Sequence, residues 1–295
     1  MRGYVPPLLL LSAIWGSSYM FIKVGLRDFS SAALVDLRLL LAAAVLVSVA
    51  LVRGGVRRLR PALRPGAVVG LVGMAIPFLL ITWGETHVDS GVAAVANSSV
   101  PIFVALLALR FAPSERADRL RVAGLAIGLA GVAVVVGVHP SGGWWGVAGT
   151  LAVVLASLCY ALSSLFMQHR LVGVGGPEFA AASVLWGTVA MLPFALADLP
   201  EHVGWKPLGS VVALGVVATG FATLIVNQLI ASHGSARTML VNYLLPGFAL
   251  FYGVSLLGEP LTAAEVGGLG LILAGVTLAA GLVTFGRAAA PVPEP

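Results

Sequence analysis

The chain has 295 residues, of which 59% are hydrophobic and only 10% charged, with a formal net charge of +5; a typical soluble domain is about 25% charged. So few polar groups cannot coat a water-facing surface, which excludes a soluble domain and makes lipid the solvent. The single cysteine, Cys159, excludes an intramolecular disulfide and a cysteine-rich metal site, and no metal or cofactor site is expected.

Crossing about 30 Å of hydrocarbon takes roughly 20 apolar residues. Ten such stretches follow one another at 6–26, 31–52, 66–84, 90–110, 120–138, 145–168, 178–198, 208–231, 236–257 and 263–285. The first begins with Arg2 and an apolar run, as a secretory signal does. It lacks an A-x-A-like exit and has a repeat partner at 150–170, so it is read as a retained helix. The short connections leave no room for a soluble catalytic domain.

Basic residues of short loops stay in the cytoplasm. With the N-terminus inside, cytoplasmic segments hold Arg2, the run Arg53, Arg57, Arg58, Arg60 and Arg64, the run Arg110, Arg116, Arg119 and Arg121, and Arg170, Arg237 and Arg287. The opposite loops hold Arg27 and Lys206, with Lys23 and Arg38 inside helices near that same face. Both termini are therefore expected in the cytoplasm. The R-G-G-V-R-R-L-R run reads as a topology signal facing anionic lipid rather than as a nucleic-acid site.

The second half rewrites the first at a spacing of about 145 residues. Ser12, Ser18, Phe21, Ser90, Asn97, Pro101 and Phe103 recur as Ser157, Ser163, Phe166, Ser235, Asn242, Pro246 and Phe248. After a one-residue slip, Glu115, Gly124 and Gly131 recur as Glu259, Gly268 and Gly275. Five helices per unit is odd, so the second copy enters the membrane from the other side. The fold class expected is an all-α integral membrane protein of ten transmembrane helices in two inverted five-helix repeats. The first repeat covers 1–138, a linker 139–144 contains H-P-S-G-G, the second repeat covers 145–285, and 286–295 is a proline-rich disordered tail. Duplicated membrane units meeting around a polar midplane are the architecture of transporters.

Pro101 stands four residues after Asn97, and Pro246 four after Asn242. Proline cannot donate to the carbonyl four residues back, so each asparagine carbonyl is freed beside its own side-chain amide. Helix kinks at Pro101 and Pro246 are expected to line a cavity; the alternative is a kink satisfied by Ser98 or a neighbouring helix. Ser12, Trp15, Tyr19 and Lys23 form one helical stripe, and Ser157, Tyr160, Ser164 and Gln168 another. Thr82 and Trp83 stand opposite Asn227 and Gln228 as a weaker pair. Lys23 and Arg38 are the ionisable groups expected within the hydrocarbon, with Asp36 or Asp28 as partners, or Lys23 snorkelling to the surface.

No helix has an acidic residue at its middle. Glu85, His87 and Asp89 cluster at the outer end of the third and fourth segments and read as solvated or capping groups. Coupling to protons would need Lys23 or that cluster, and facilitated export is the simpler reading. The glycines Gly124, Gly128 and Gly131, and Gly268, Gly270 and Gly275, suit close packing within the monomer or between two monomers, so a homodimer is one partner the sequence allows.

A-I-W-G-S-S-Y-M-F-I-K near the start, V-D-L-R-L-L-L-A-A in the second segment and L-L-G-E-P-L-T-A-A-E-V-G-G before the last stand where one family has them. Over residues 6–285 the chain closely resembles the EamA family of the drug/metabolite transporter superfamily. That resemblance implies a multi-pass exporter of the cell membrane, moving small metabolites, often amino acids, by alternating access around a cavity lined by segments 1, 3, 4, 6, 8 and 9. The matching positions are Trp15, Ser18, Tyr19, Lys23, Trp83, Asn97, Tyr160, Ser163, Asn227, Asn242 and Tyr243. In the first repeat the E-P-L-T-like segment has become P-S-E-R-A-D-R, so no conformational role carries over to Glu115.

The expected partners are a small-molecule substrate and the bilayer, without nucleic acid. Export of phosphorylated or nucleotide-linked sugars would need more cations than Lys23 and Arg38. A membrane-embedded enzyme lacks a catalytic constellation, and a non-transporting scaffold would not need duplicated polar residues.

Overall fold

The computed structural model describes residues 4–111, 119–137, 143–170, 176–233, 238 and 240–279. Glu115, Ser235, Arg237, residues 138–142 of the expected linker region, the end of the second repeat and the tail lie outside the described residues, as does the Gln168 side chain. All the regular structure among the described residues is helical. The rods, in chain order, are α1 (Val5–Gly25), α2 (Ser31–Arg53), α3 (Leu59–Gly84), α4 (Ser90–Asn97, resuming as Val100–Phe111), α5 (Arg119–Gly137), α6 (Gly143–Arg170), α7 (Gly176–Leu196), α8 (Trp205–His233), α9 (Val241–Leu257) and α10 (Ala263–Ala279). Seven are long and apolar enough to cross a membrane, and Val122–Gly137, α9 and α10 are shorter apolar helices within the described residues.

Local chemistry sets several boundaries. Pro6 and Pro7 open α1, where no backbone donor is needed. Ser30 caps α2 by accepting from the Ala33 amide at 3.2 Å. Thr262 and Glu265 form a reciprocal capping box at the start of α10. The arginine-rich connection expected at 53–65 is itself helical and continuous from Ser31 to Gly70, except at Gly55. There φ is 64°, a left-handed conformation that glycine adopts without Cβ strain, and the chain reverses between α2 and α3.

The turns at 26–30, 85–89 and 197–204, the start of α6 and the segment before α10 all meet at one end of the bundle. The Gly204 amide donates to the Asp28 carboxylate at 2.7 Å, the Ser30 hydroxyl reaches the Asp198 carbonyl, and Lys23 reaches the carbonyls of Glu85 and Val88. His87 stacks on Trp145, and Ser90 bonds Glu259. The connection carrying Arg53–Arg64 is therefore at the opposite end.

Contacts between the halves have a regular form. The most extensive join Ser31–Gly70, which covers α2 and the start of α3, to α7, and α5 to α10; α2 also packs on α8, α1 on α8 and α9, and α6 on α3 and α4. Moving every helix five places along returns the same set. The glycines of α5 and α10 are used in this internal contact: a Cβ on Gly124 would stand 2.6 Å from the Ala279 nitrogen, and one on Gly131 2.8 Å from the Gly268 carbonyl. Gly270 meets nothing. The other five glycines of the stripe are thus used in packing within the monomer.

Candidate functional site

The two Asn–Pro segments come together. Asn97, Ser98, Pro101, Asn242 and Leu245 line a common cavity of ≈ 20 Å³, enough for about one water. The first copy is a break rather than a kink: α4 stops at Asn97, Ser98 and Ser99 form a turn, and Pro101 is the second residue of the resumed helix. Both serines bond back to their own strand of helix, at Ala94 and Ala96. In the second copy Pro246 lies within α9, which begins at Val241, so Asn242 is in its first turn.

Asn97 is held from two helices. Its amide Nδ2 donates to the Tyr19 hydroxyl at 2.8 Å, tying α4 to α1. The Ser157 hydroxyl of α6 stands 3.1 Å from Asn97 Oδ1, 3.4 Å from the freed Asn97 carbonyl and 3.2 Å from the Val153 carbonyl. One proton serves one acceptor at a time, so the serine can switch between them.

The other predicted residues are dispersed around this centre. Trp15 donates through Nε1 to the Ala218 carbonyl at 3.2 Å, in a π-helical stretch of α8, Ala213–Phe221. Ser163, the repeat mate of Ser18, packs on Gly73 in the corresponding π-helical stretch of α3, Leu71–Ala75. Ser18 is buried and bonds back to Ile14 at 3.5 Å. The wider turns of π-helix free backbone groups and often mark functional sites. Tyr160 and Tyr243 pack, half-buried, against the main apolar core. Trp83 lies against His87 with ring centres 4.5 Å apart and planes tilted by 47°, at the end of the bundle carrying the 85–89 turn. Asn227 lies at the other end, against Gly176 at the start of α7, with its Nδ2 buried and unbonded.

The charged groups differ most from expectation. Lys23 neither snorkels nor meets Asp28: Nζ donates to the Glu85 and Val88 carbonyls, each at 2.6 Å. Both carbonyls stand in the turn that follows α3, outside its helix, where the ammonium reaches them. Arg38 donates from Nε to Thr219 Oγ1 at 2.9 Å and lies 3.9 Å over the Phe78 ring, in place of the expected Asp36. Asp36 Oδ1 is buried without a partner. Glu85 is not solvated: it is 0% exposed and neither carboxyl oxygen has a partner. Burial holds its carboxyl well above the usual carboxylate range; Lys23 pulls it down, Glu259 pushes it up and Arg38 pulls it down. Tyr19 interacts electrostatically with Tyr160, Glu85 and Arg38, so it belongs to both this cluster and the Asn97 network.

Sequence reasoning missed the reach of Glu259. Its carboxylate accepts from the Ser90 amide at 3.0 Å, from the Ser90 hydroxyl and from the Gly91 amide, capping α4 from the far half of the chain. The signal was present in Asp89–Ser90 before an apolar run, but the cap comes from residue 259 and not from Asp89. Glu259→Ala is expected to cost about 2 kcal/mol, the scale of a lost charged cap. In detergent its melting temperature falls by several degrees, and Glu259→Gln loses less; equal melting in all three proteins would contradict this role.

Known proteins place the chain. The EamA-like transporter family matches twice, over residues 5–137 and 147–281. An uncharacterized inner membrane transporter of Escherichia coli, YedA, is 30% identical over 95% of this chain and 90% of its own. A probable terminal-alkyne amino-acid exporter of Streptantibioticus cattleyicolor is 33% identical over 92% and 91%. A probable amino-acid metabolite efflux pump of Salmonella typhimurium is 28% identical over 91% of each. A solved crystal structure shares the fold, with a TM-score of 0.66 at 23% identity over 93% of this chain and 96% of the other. Two family matches spanning nearly all of an apolar helical bundle leave one conclusion: the chain belongs to the EamA family of the drug/metabolite transporter superfamily and is a multi-pass transporter of the cell membrane.

Proposed function

We propose that the protein exports amino acids or related amphipathic metabolites by alternating access around the cavity between α4 and α9. The observation that carries this reading is that both Asn–Pro segments, which the repeat makes equivalents, line one cavity. Two relatives bear names of amino-acid export or amino-acid metabolite efflux. Room for about one water holds no amino acid. A solute therefore enters only when the halves part, and this conformation is closed around the asparagines.

Ten crossings in two inverted repeats, with both termini in the cytoplasm, fit this mechanism. The five-place symmetry of the helix contacts supports the repeats, and the Arg53–Arg64 connection opposite the 85–89 turn supports the orientation. The repeat boundary lies near 139–144. In the open cavity Asn97, Asn242, Ser18 and Ser163 meet the polar ends of the solute, and Trp15, Tyr19, Tyr160 and Tyr243 its apolar part. Lys23 reaches a solute carboxylate only by leaving the Glu85 and Val88 carbonyls. Trp83 and Asn227 line the route at its two ends. Sugar-phosphate export is disfavoured because both nearby cations already have partners in the closed state.

Expression in a host preloaded with labelled amino acids is expected to speed release of one chemical class. Release no faster than from empty cells, from correctly inserted protein, would reject amino acids as cargo.

A further inference from the structure

Glu85 sits in the turn between α3 and α4 with its carboxyl fully buried and unpartnered, while a lysine ammonium close by is bonded to main chain instead. An ionised carboxylate left unpaired in such a place costs several kcal/mol. A lysine ammonium so near would be drawn more strongly to the full charge of a buried carboxylate than to neutral carbonyls. Lys23 remains on the carbonyls, and this is the arrangement of a neutral carboxylic acid.

The groups acting on Glu85 come from every side: Lys23 and Tyr19 from α1, Arg38 from α2, and Glu259 from the segment before α10. His87 and Asp89 share its turn. Arg38 is committed to Thr219 and Phe78, and Glu259 to the α4 amides. Lys23 is thus the cation free to change acceptor, and its present bonds are what tie α1 to the 85–88 turn.

We propose that Glu85 is a proton-operated latch at this end of the transporter. Protonated, it leaves Lys23 on the Glu85 and Val88 carbonyls and this end stays shut; ionised, it pulls the ammonium off those two carbonyls, the main-chain tie between α1 and the turn is lost, and water enters around the carboxylate. The proton comes from, and returns to, the water at that face, and no other group changes charge. Because the shut state holds the proton and the open state hydrates the carboxylate, raising the pH favours opening. The proposal rests on the export reading, where this end is the extracellular gate.

The test needs no solute, so a failed transport assay and a failed latch are separate results. Val88, 5% exposed in the shut state, is replaced by cysteine in a Cys159→Ser background, and the full chain in lipid nanodiscs is labelled with a membrane-impermeant maleimide. The thiol's own pH dependence is removed by taking the ratio of rates with and without Glu85→Gln. That ratio is expected to stay near one at low pH and to rise by up to about tenfold per pH unit until Glu85 is fully ionised. Lys23→Met is expected to label fast at every pH. If Glu85→Gln fails to fold, Glu85→Asp serves, with the same slope and a displaced midpoint. A ratio that is flat or falls with pH, or an unchanged midpoint in Glu85→Asp, would overturn the latch.

Discussion

Asn97→Ala is expected to lower solute flux about tenfold while leaving folded protein in the membrane. The side chain joins three helices, bonding Tyr19 on α1 and lying within reach of Ser157 on α6, beside the break in its own helix. Its removal strands the buried Tyr19 hydroxyl, a loss of about 1–3 kcal/mol, while Ser157 keeps the Val153 carbonyl. The break itself is made by Pro101 and the Ser98 and Ser99 back-bonds, so the fold survives. Asn242→Ala should show the same split between flux and abundance. Because both residues line one cavity, the double variant should lose less than the product of the two effects. The check is the initial rate of counterflow per unit of monodisperse protein; wild-type rates in both single variants would remove the asparagines from the mechanism.

Gly124→Val has the largest expected effect on stability. Its Cβ would lie 2.6 Å from the Ala279 nitrogen and 2.7 Å from the Gly275 carbonyl. Both are backbone atoms that cannot rotate aside, so α5 and α10 must separate. Overpacking against yielding side chains costs about 1–3 kcal/mol, and here the cost is at or above the top of that range. Gly270→Val, on α10 with nothing in reach of its Cβ, is the control and should be silent. Thermal unfolding and size-exclusion profiles in detergent separate them. Equal behaviour of the two variants would mean that the glycines are not a contact surface.

The helical rods, the equivalence of Asn97 and Asn242 and the α5–α10 glycines were legible in the sequence because each rests on period, spacing or residue size. The charged cluster was not. Glu85 follows Trp83–Gly84 at a helix end, where hydropathy suggests water, yet the tertiary fold buries it completely, with Lys23 of α1 on its carbonyl. Lys23 and Arg38 were identified as buried cations, but carboxylates nearby in sequence were the wrong partners: the carbonyls of the buried 85–88 turn took one and Thr219, 181 residues away, the other. The expected loop at 53–65 proved helical because arginine and leucine favour helix and only Gly55 interrupts it. Trp15 and Ser163 belong to the helical stripes foreseen, yet the π-helical stretches they meet depend on hydrogen-bond register, which no residue pattern announces.

Solute counterflow in proteoliposomes tests the central claim most directly. Purified protein is reconstituted with a saturating unlabelled amino acid inside and a labelled trace outside, at equal pH on both sides. Transient accumulation of label for one class of amphipathic amino acid, abolished when the internal solute is omitted, is the result predicted for an alternating-access exporter. Equal traces with and without internal solute across the whole amino-acid panel, from folded and inserted protein, would contradict it.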